Sequence, residues 1–357
     1  MKLGLLIYGS LETLSGGYLY DRKLVEYLRS QGDTVEIISL PWRNYAAHLS
    51  DNLRFRLPQG LDLLIQDELN HPSLLSANHR PHPPAPERGY PILSLVHHLR
   101  CSEQRPAWQN WFYRTIEKRY LQSVDGFIFN SQTTRNVVNG LINDRKPHIV
   151  AYPPTDRFGQ GVTESEIEAR AREQGPLRIL FLGNVVHRKG LHILLEALSF
   201  EQFAFSLDVV GALATEPEYA REMQTRSEVS GLQSHVFFHG SLDNEDLIDK
   251  LKSAHVLVLP SSYEGFGIVY LEGMAFGLPD VGTTAGGAAE IISDGETGFL
   301  VPPDDAVTLA ERLSALAKDR DLLARLSINA LNRYRRQPSW NKTAGQIRKF
   351  LFSIIKT

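Results

Sequence analysis

Short apolar runs recur along the chain, separated by amphipathic stretches. KLGLLIY, TVEIISL, LDLLIQ, PILSLVHH, GFIFNS and HIVAYP are rich in branched residues and too short for core helices, so each predicts a buried strand. Segments such as YLYDRKLVEYLRS lie between them and carry the three-to-four spacing of a helix. Strands apolar at nearly every position, alternating with helices, predict a parallel sheet covered on both faces. After Pro153 and Pro154 the rhythm stops in a polar, Glu-rich stretch, GQGVTESEIEARAREQGP, which reads as a linker. It restarts with LRILFLG, FSLDVVG, HVFFHG, HVLVLPS, LPDVGTT and TGFLVPP. The expected organisation is therefore α/β, with two doubly wound, Rossmann-like domains at residues 1–155 and 177–337 joined by a linker at 156–176. A C-terminal helix is expected within 338–357, from Trp340 to Ile355 after the break at Pro338, and its destination is left open. Ligands of such sheets bind beyond the carboxyl ends of the strands, and two sheets facing one another would put the site in the cleft between them.

Size agrees with this division, because 357 residues exceed what one core usually supports. Apolar residues at 42% and charged residues at 22% are ordinary globular values and exclude a disordered or fibrous chain. Residues 1–150 hold 17 Lys and Arg against 14 Asp and Glu, within an overall net charge of -3. The asymmetry is mild and forms no concentrated basic stripe, so no nucleic-acid partner is expected. The longest apolar runs, LGLLIYG and VLVLP, fall far below the ~18 residues of a membrane span. The first of them lacks a cleavage site and reads as the opening strand. A single cysteine, Cys101, supports neither a disulfide nor a zinc cluster and suits a small buried position in a reducing compartment. A cytoplasmic protein is expected.

Three strand-to-helix turns carry candidate chemistry. In LFLGNVVHRKGLHILLEAL a strand ends at Gly183, His187, Arg188 and Lys189 occupy the loop, and a helix begins near Gly190. Cations beside the free amides of a helix start favour an anion such as phosphate, although a solvated basic turn would read the same way. In SYEGFGIVYLEGMA, Glu264 falls in the loop after a buried strand and Glu272 lies more than a turn into the next helix. Gly265 and Gly267 let the backbone approach a ligand closely, and the two carboxylates could hold the hydroxyls of an elongated polyol ligand. A helix-capping acid and an ordinary helix-surface acid are the alternatives for Glu264 and Glu272. Gly286 and Gly287 form a third such turn, while Gly295 and Gly298 read as turn formers.

The run from Pro260, PSSYEGFGIVYLEGMAFGLPDVGTTAGGAAEIISDGETGFLVPPDD, closely resembles the signature region of glycosyltransferase family 4, retaining GT-B enzymes that use nucleotide-sugar donors. Gly16 and Gly17 after the first strand, His97 after the fourth, FNSQTT and GNVVHRKG appear in the family's order, so the resemblance covers almost the whole chain. It implies an N-terminal acceptor-binding domain and a C-terminal donor-binding domain. Glu264 would lie near the transferred sugar and Glu272 on the ribose hydroxyls. Gly265, Phe266 and Gly267 would present amides to sugar or phosphate. Lys189 would meet the diphosphate, and Gly16 and Gly17 would approach the phosphates from the other domain. Catalytic parts would fall to His97, Glu264 and Lys189. The chain departs from the family at Asn184, where an arginine is common and for which Arg188 is the candidate replacement. It departs again at Asp280, where a valine is usual, and at His98, where the family pairs its histidine with an aspartate.

The implied reaction moves a sugar with retention from a nucleoside diphosphate to a hydroxyl acceptor, glycan or lipid. No cofactor or metal is expected: Lys189, Arg188 and helix starts would neutralise the leaving diphosphate, and the one D-x-D, at Asp319 and Asp321, reads as a solvated helix segment. His97 would orient sugar or acceptor, with a structural histidine as the alternative. RPAWQNWFYRTIEKRY, residues 105–120, sets Trp108, Trp111 and Phe112 on one helical face among basic residues. Such a face either fills the domain core or lies peripherally on an anionic membrane. Competing readings are a nucleotide-sugar-binding protein without transfer activity, which Asn184 favours, and a GT-B epimerase.

Overall fold

The computed structural model describes the chain except Leu14, residues 80–88, Asp144, residues 155–157 and 159–161, residues 201–202 and Thr357. The end of the expected first domain, at 155, and positions 156, 157 and 159–161 of the expected linker lie outside the described residues.

Two compact units are present, one of residues 1–154 with 338–357 and the other of residues 155–337. The first contains β1 (Lys2–Tyr8), α1 (Gly16–Ser30), β2 (Thr34–Leu40), α2 (Tyr45–Asp51), β3 (Leu63–Asp67), α3 (His71–His79), β4 (Ile92–Val96), α4 (Ala107–Ser123), β5 (Gly126–Phe129), α5 (Gln132–Ile142) and β6 (His148–Val150). Its sheet runs β2-β1-β3-β4-β5-β6, parallel throughout, so the winding reverses between β1 and β3. Strand residues alternate between two apolar layers: Leu6, Leu64 and Phe129 face one side, and Leu5, Ile65 and Ile128 the other.

The second unit contains α6 (Glu164–Arg172), β7 (Leu177–Leu182), α7 (Leu191–Ser199), β8 (Phe205–Val210), α8 (Pro217–Val229), β9 (Val236–Gly240), α9 (Asn244–Ser253), β10 (Val256–Val258), α10 (Ile268–Ala275), β11 (Asp280–Thr283), β12 (Gly298–Val301), α11 (Ala306–Lys318) and α12 (Arg320–Arg335). Its parallel sheet runs β12-β11-β10-β7-β8-β9, with the reversal between β7 and β10. The carboxyl ends beside such a reversal are where a doubly wound sheet opens a crevice for a ligand.

One stretch differs from the sequence reading. Residues 164–172, expected within a linker, form helix α6. The glutamates there belong to a capping box, with Thr163 accepting from the Glu166 amide and the Glu166 carboxylate accepting from the Thr163 amide. Ile167 and Ala171, one turn apart, are buried, and Arg170 donates to the carbonyls of Phe276 and Gly277 at 2.9 and 3.0 Å. Of the two alternatives left open for the face of Trp108 and Trp111 on α4, filling the core does not hold. Trp108 and Trp111 are 70% and 69% exposed, because the buried stripe of that helix is Ile116, Glu117, Tyr120 and Leu121.

The last helix, α13 (Trp340–Ile355), starts at a Ser339 cap and belongs to the first unit. Trp340 packs edge-on against Tyr20 of α1 at 5.5 Å, and Arg348 pairs with buried Asp33 at 2.6 Å. Asp319 of the D-x-D caps α12 by accepting from the Leu322 amide, while exposed Asp321 pairs with Arg172.

Candidate active site

In the second unit the turns after β7 and β10 meet at its switch point. After β7 the chain passes through Gly183 and half-buried Asn184 into a single 3-10 turn, His187–Lys189, and Gly190 caps α7. The turn after β10 binds directly to it, with the Ser262 amide donating to the Arg188 carbonyl at 2.9 Å. This contact brings two charged side chains from β7's turn onto one acid from β10's. Lys189 Nζ donates to Glu264 Oε1 at 2.5 Å, Ser261 Oγ donates to the same oxygen at 2.7 Å, and Arg188 Nη1 stands 3.4 Å from it. Arg188 Nη1 also donates to the Tyr263 carbonyl at 2.8 Å, so its guanidinium is held beside the ammonium.

Burial alone would raise the Glu264 carboxyl, but Lys189, Arg188 and the hydrogen bonds from Lys189 and Ser261 outweigh it and bring the group down to about 2. Burial draws Lys189 below the ordinary ammonium value, the Glu264 carboxylate opposes the shift, and Arg188 adds to it. The carboxylate is ionised, and two cations against one acid leave a local positive excess. All three contacts land on Oε1, so Oε2 carries none of them.

The turn after β11 closes the arrangement. Gly287 donates its amide to the Glu264 carbonyl at 2.7 Å, and Gly286 has φ 81. A Cβ at Gly286 would lie 2.0 Å from the Glu264 carbonyl oxygen, so only glycine permits this approach. Thr283 Oγ1 donates to the Ser261 carbonyl at 2.6 Å. Gly265 and Gly267 lead into α10, Gly267 as its cap with φ 92, while the Phe266 side chain is buried in the core. Glu272 lies on α10, also buried. The helix is therefore not presenting an ordinary surface acid there.

In the first unit Gly16 and Gly17 open α1 behind the Ser15 cap, and His97 follows β4. His97 Nε2 lies 3.0 Å from Asp21 Oδ1 of α1, and Tyr20 meets its ring edge-on at 5.5 Å. His98, where the family's aspartate would stand, instead pairs with Glu103 at 3.0 Å. The surroundings of His97 are strongly acidic. Burial and Asp21 push Asp67 up to about 7, burial raises Glu68 to about 8, and burial with Glu68 raises Glu117 to about 7. Asp21, Asp67 and His97 bring one ligand-type atom each within 4.8 Å of one another, as do Glu68, His71 and Glu117. Both groups are already engaged in hydrogen bonds. Asp67 accepts from the Leu69 amide, Glu117 from the amides of Arg100 and Cys101, and His71 Nε2 meets the Tyr45 hydroxyl at 2.9 Å. The sequence reading passed over these acids, although Asp21 lies one helical turn from Gly17 and Asp67 and Glu68 end an apolar strand. Both positions carry a readable signal.

The comparisons with known proteins bear on the whole arrangement. Residues 162–333, nearly all of the second unit, match the family model described as glycosyl transferases group 1. The chain is 30% identical to the D-rhamnosyltransferase WbpZ of Pseudomonas aeruginosa over 69% of its own length and 67% of that protein's. The chain belongs to the group 1 glycosyl transferases. A phosphatidyl-myo-inositol mannosyltransferase of Mycobacterium leprae is 35% identical, with the match spanning 47% of this chain and 44% of that protein. Among solved structures, sucrose-phosphate synthase of Thermosynechococcus elongatus superposes with TM-score 0.80 at 21% identity over 99% of both chains. Anabaena HepE, solved with UDP-glucose, gives TM-score 0.76 at 20% identity over 99% of this chain and all of that one. The fold of this glycosyltransferase is GT-B. None of its described helices is long and apolar enough to cross a membrane.

Proposed function

We propose that this group 1 glycosyl transferase moves a sugar, with retention, from a nucleoside-diphosphate sugar to a hydroxyl acceptor, a glycan or a lipid. The observation that carries this reading is the convergence of Lys189 and Arg188 on Glu264 at the switch point of the second sheet. Two cations there suit a diphosphate, and the unused Oε2 of Glu264 suits a sugar hydroxyl. Asn184 leaves the place of the common arginine uncharged, and Arg188, anchored on the Tyr263 carbonyl, supplies the charge instead. Glu272 takes the ribose hydroxyls, and the Gly265–Gly267 turn brings backbone amides to the donor.

In the reaction the bond from the anomeric carbon to the phosphate oxygen breaks and a bond to the acceptor oxygen forms on the same face. The acceptor's proton passes to the departing diphosphate. Lys189 and Arg188 stabilise the charge that develops on that diphosphate, which is where fixed cations accelerate a reaction most. This chemistry needs no metal, so turnover should survive EDTA.

Several relatives bear on the acceptor. The proteins of Pseudomonas aeruginosa and Mycobacterium leprae are named as a rhamnosyltransferase and a phosphatidyl-myo-inositol mannosyltransferase, and the second name supports a lipid acceptor. The exposed Trp108 and Trp111 of α4, with Lys118 and Arg119 further along the same face, give the first unit a surface suited to an anionic bilayer. Peripheral attachment at the cytoplasmic face follows from this reading.

A thermal-shift screen across UDP-, GDP- and ADP-sugars tests the donor, because stabilisation scales with affinity. Product analysis with and without acceptor separates transfer from epimerisation of the donor and from binding alone. A chain that no nucleotide sugar stabilises is not a transferase of this kind.

A further inference from the structure

The only side chain of the first unit given a catalytic part above is His97, and the structure surrounds it with groups that no motif supplied. Asp21 is wholly buried, 0% exposed, and its Oδ1 is 3.0 Å from His97 Nε2. Its other oxygen, Oδ2, has no hydrogen-bond partner. Gly17, one turn earlier on α1, leaves room for the ring, since a Cβ there would sit 3.3 Å from His97 Cδ2, tighter than an ordinary contact. The Tyr20 ring covers another side of the imidazole. The His97 carbonyl is fixed from β5 and α5, accepting from Asn130 Nδ2 at 2.9 Å and lying 3.4 Å from Thr134 Oγ1. Backbone and ring are thus both held, and Nδ1 takes part in none of these hydrogen bonds.

We propose that Asp21 is a positioning residue, which clamps His97 through Nε2 so that the imidazole presents Nδ1–H as a fixed hydrogen-bond donor to a substrate oxygen. This rests on the transferase reading above and adds to it a residue and a protonation state. The buried Asp21 carboxylate accepting from Nε2–H fixes the ring and favours the charged imidazolium, the form in which Nδ1 also carries a proton. The remaining acids facing His97, Asp67 and Glu68, act in the same direction once they ionise. Burial would lower its pKa, but Asp21 first, then Asp67 and Glu68 at the end of β3, raise it to about 9. His98 beside it is occupied by Glu103. Paired with the buried Asp21 carboxylate, His97 is held as an imidazolium and serves as a donor, not a general base. That role suits an oxygen gaining negative charge.

Two arms test this, and the first needs no substrate. Nitrogen-15 NMR of the histidines of the full chain at pH 7.5 should show both His97 nitrogens protonated, with the His97 signals assigned by single-residue substitution. Asp21→Asn should bring His97 down by more than one pH unit. A neutral His97 in the unaltered protein overturns the proposal, and that measurement decides the matter even if Asp21→Asn does not fold.

The second arm uses the nucleotide sugar selected by the donor screen. Asp21→Asn should lower kcat at least tenfold with donor KM within twofold, and should move the loss of activity at high pH from about 9 toward the ordinary histidine range near 6.5. Asp21→Asn combined with His97→Ala should be no slower than His97→Ala alone. An unchanged pH profile in Asp21→Asn, with His97→Ala impaired, overturns the part assigned to Asp21 and leaves the transferase reading standing. Absence of any donor stabilisation overturns the transferase reading, while the NMR arm still decides the Asp21–His97 pair.

Discussion

The two units share a parallel six-stranded sheet with one reversal of winding, yet the charges gathered at their strand ends differ in kind. The second unit sets two cations on one acid, and the carboxyl of Glu264 drops to about 2. The first unit collects Asp21, Asp67, Glu68 and Glu117 around two histidines, and burial lifts Asp67, Glu68 and Glu117 toward neutrality. One unit gathers two cations on a single ionised acid, and the other gathers buried acids, raised in pKa, beside a histidine. The same architecture thus holds two charge environments, because a doubly wound sheet fixes where its turns converge and leaves the side chains on those turns free to vary.

The largest effect should come from removing the cation that the second unit relies on. Lys189→Ala leaves Glu264 ionised and buried without its closest partner, which should cost about 3–5 kcal/mol of stability and lower turnover about 100-fold or more. Chemical denaturation and steady-state rates measure the two. The sign of the pH dependence follows from the depressed carboxyl. The stabilisation from Glu264 is fully present above its ordinary pKa near 4.3 and is lost as pH falls toward about 2. Acid titration of stability should show that loss in the unaltered protein and a weaker one in Glu264→Gln.

Arg188→Ala should act more narrowly. A charge-assisted hydrogen bond contributes roughly 1.5–3 kcal/mol, so calorimetry should show nucleoside-diphosphate affinity reduced by one to two orders of magnitude with little change in melting temperature. Unchanged affinity would mean that Arg188 does not replace the arginine absent at Asn184.

Asp280 sharpens the contrast from the opposite direction. It is wholly buried at the start of β11, neither carboxylate oxygen has a hydrogen-bond partner, and burial holds its pKa well above the usual range. Unlike Glu264 it has no cation, so Asp280→Val should stabilise the second unit by about 1–3 kcal/mol. An acid whose folded pKa is raised loses stability as pH climbs from its ordinary value toward the folded one. The gain from Asp280→Val should therefore be larger at pH 8 than at pH 5, as melting curves at the two pH values would show.

The smallest effect on stability belongs to α4. Trp108→Ala with Trp111→Ala removes exposed rings and should leave the melting temperature within about a degree, since surface changes seldom exceed ±0.5 kcal/mol. Co-sedimentation with anionic vesicles at low salt should nevertheless fall severalfold. Unaltered vesicle binding would remove the membrane from the account of the first unit.

Much of this was legible before any coordinates. KLGLLIY and TVEIISL coincide with β1 and β2, and the helix expected from Trp340 to Ile355 is α13. Strand and helix periods are local properties, carried by neighbours in the chain. The spacing of Lys189, Glu264 and the glycine turns likewise named a family, because a turn that must approach a ligand constrains its own residues. The capping box of α6 was equally local, but its glutamates were read as linker composition.

Tertiary structure decided what local pattern cannot. Trp108 and Trp111 could fill a core or face outward, and only the packing of Ile116 and Tyr120 inward settled which face of α4 is buried. The family's aspartate is replaced by His98, and the acid that meets His97 comes from α1, 76 residues earlier. A side chain's charge is set by what surrounds it in space. Residues far apart in sequence make that environment, so the chain's order determined the sheets and the turns, while the folded packing alone determined which acids are charged.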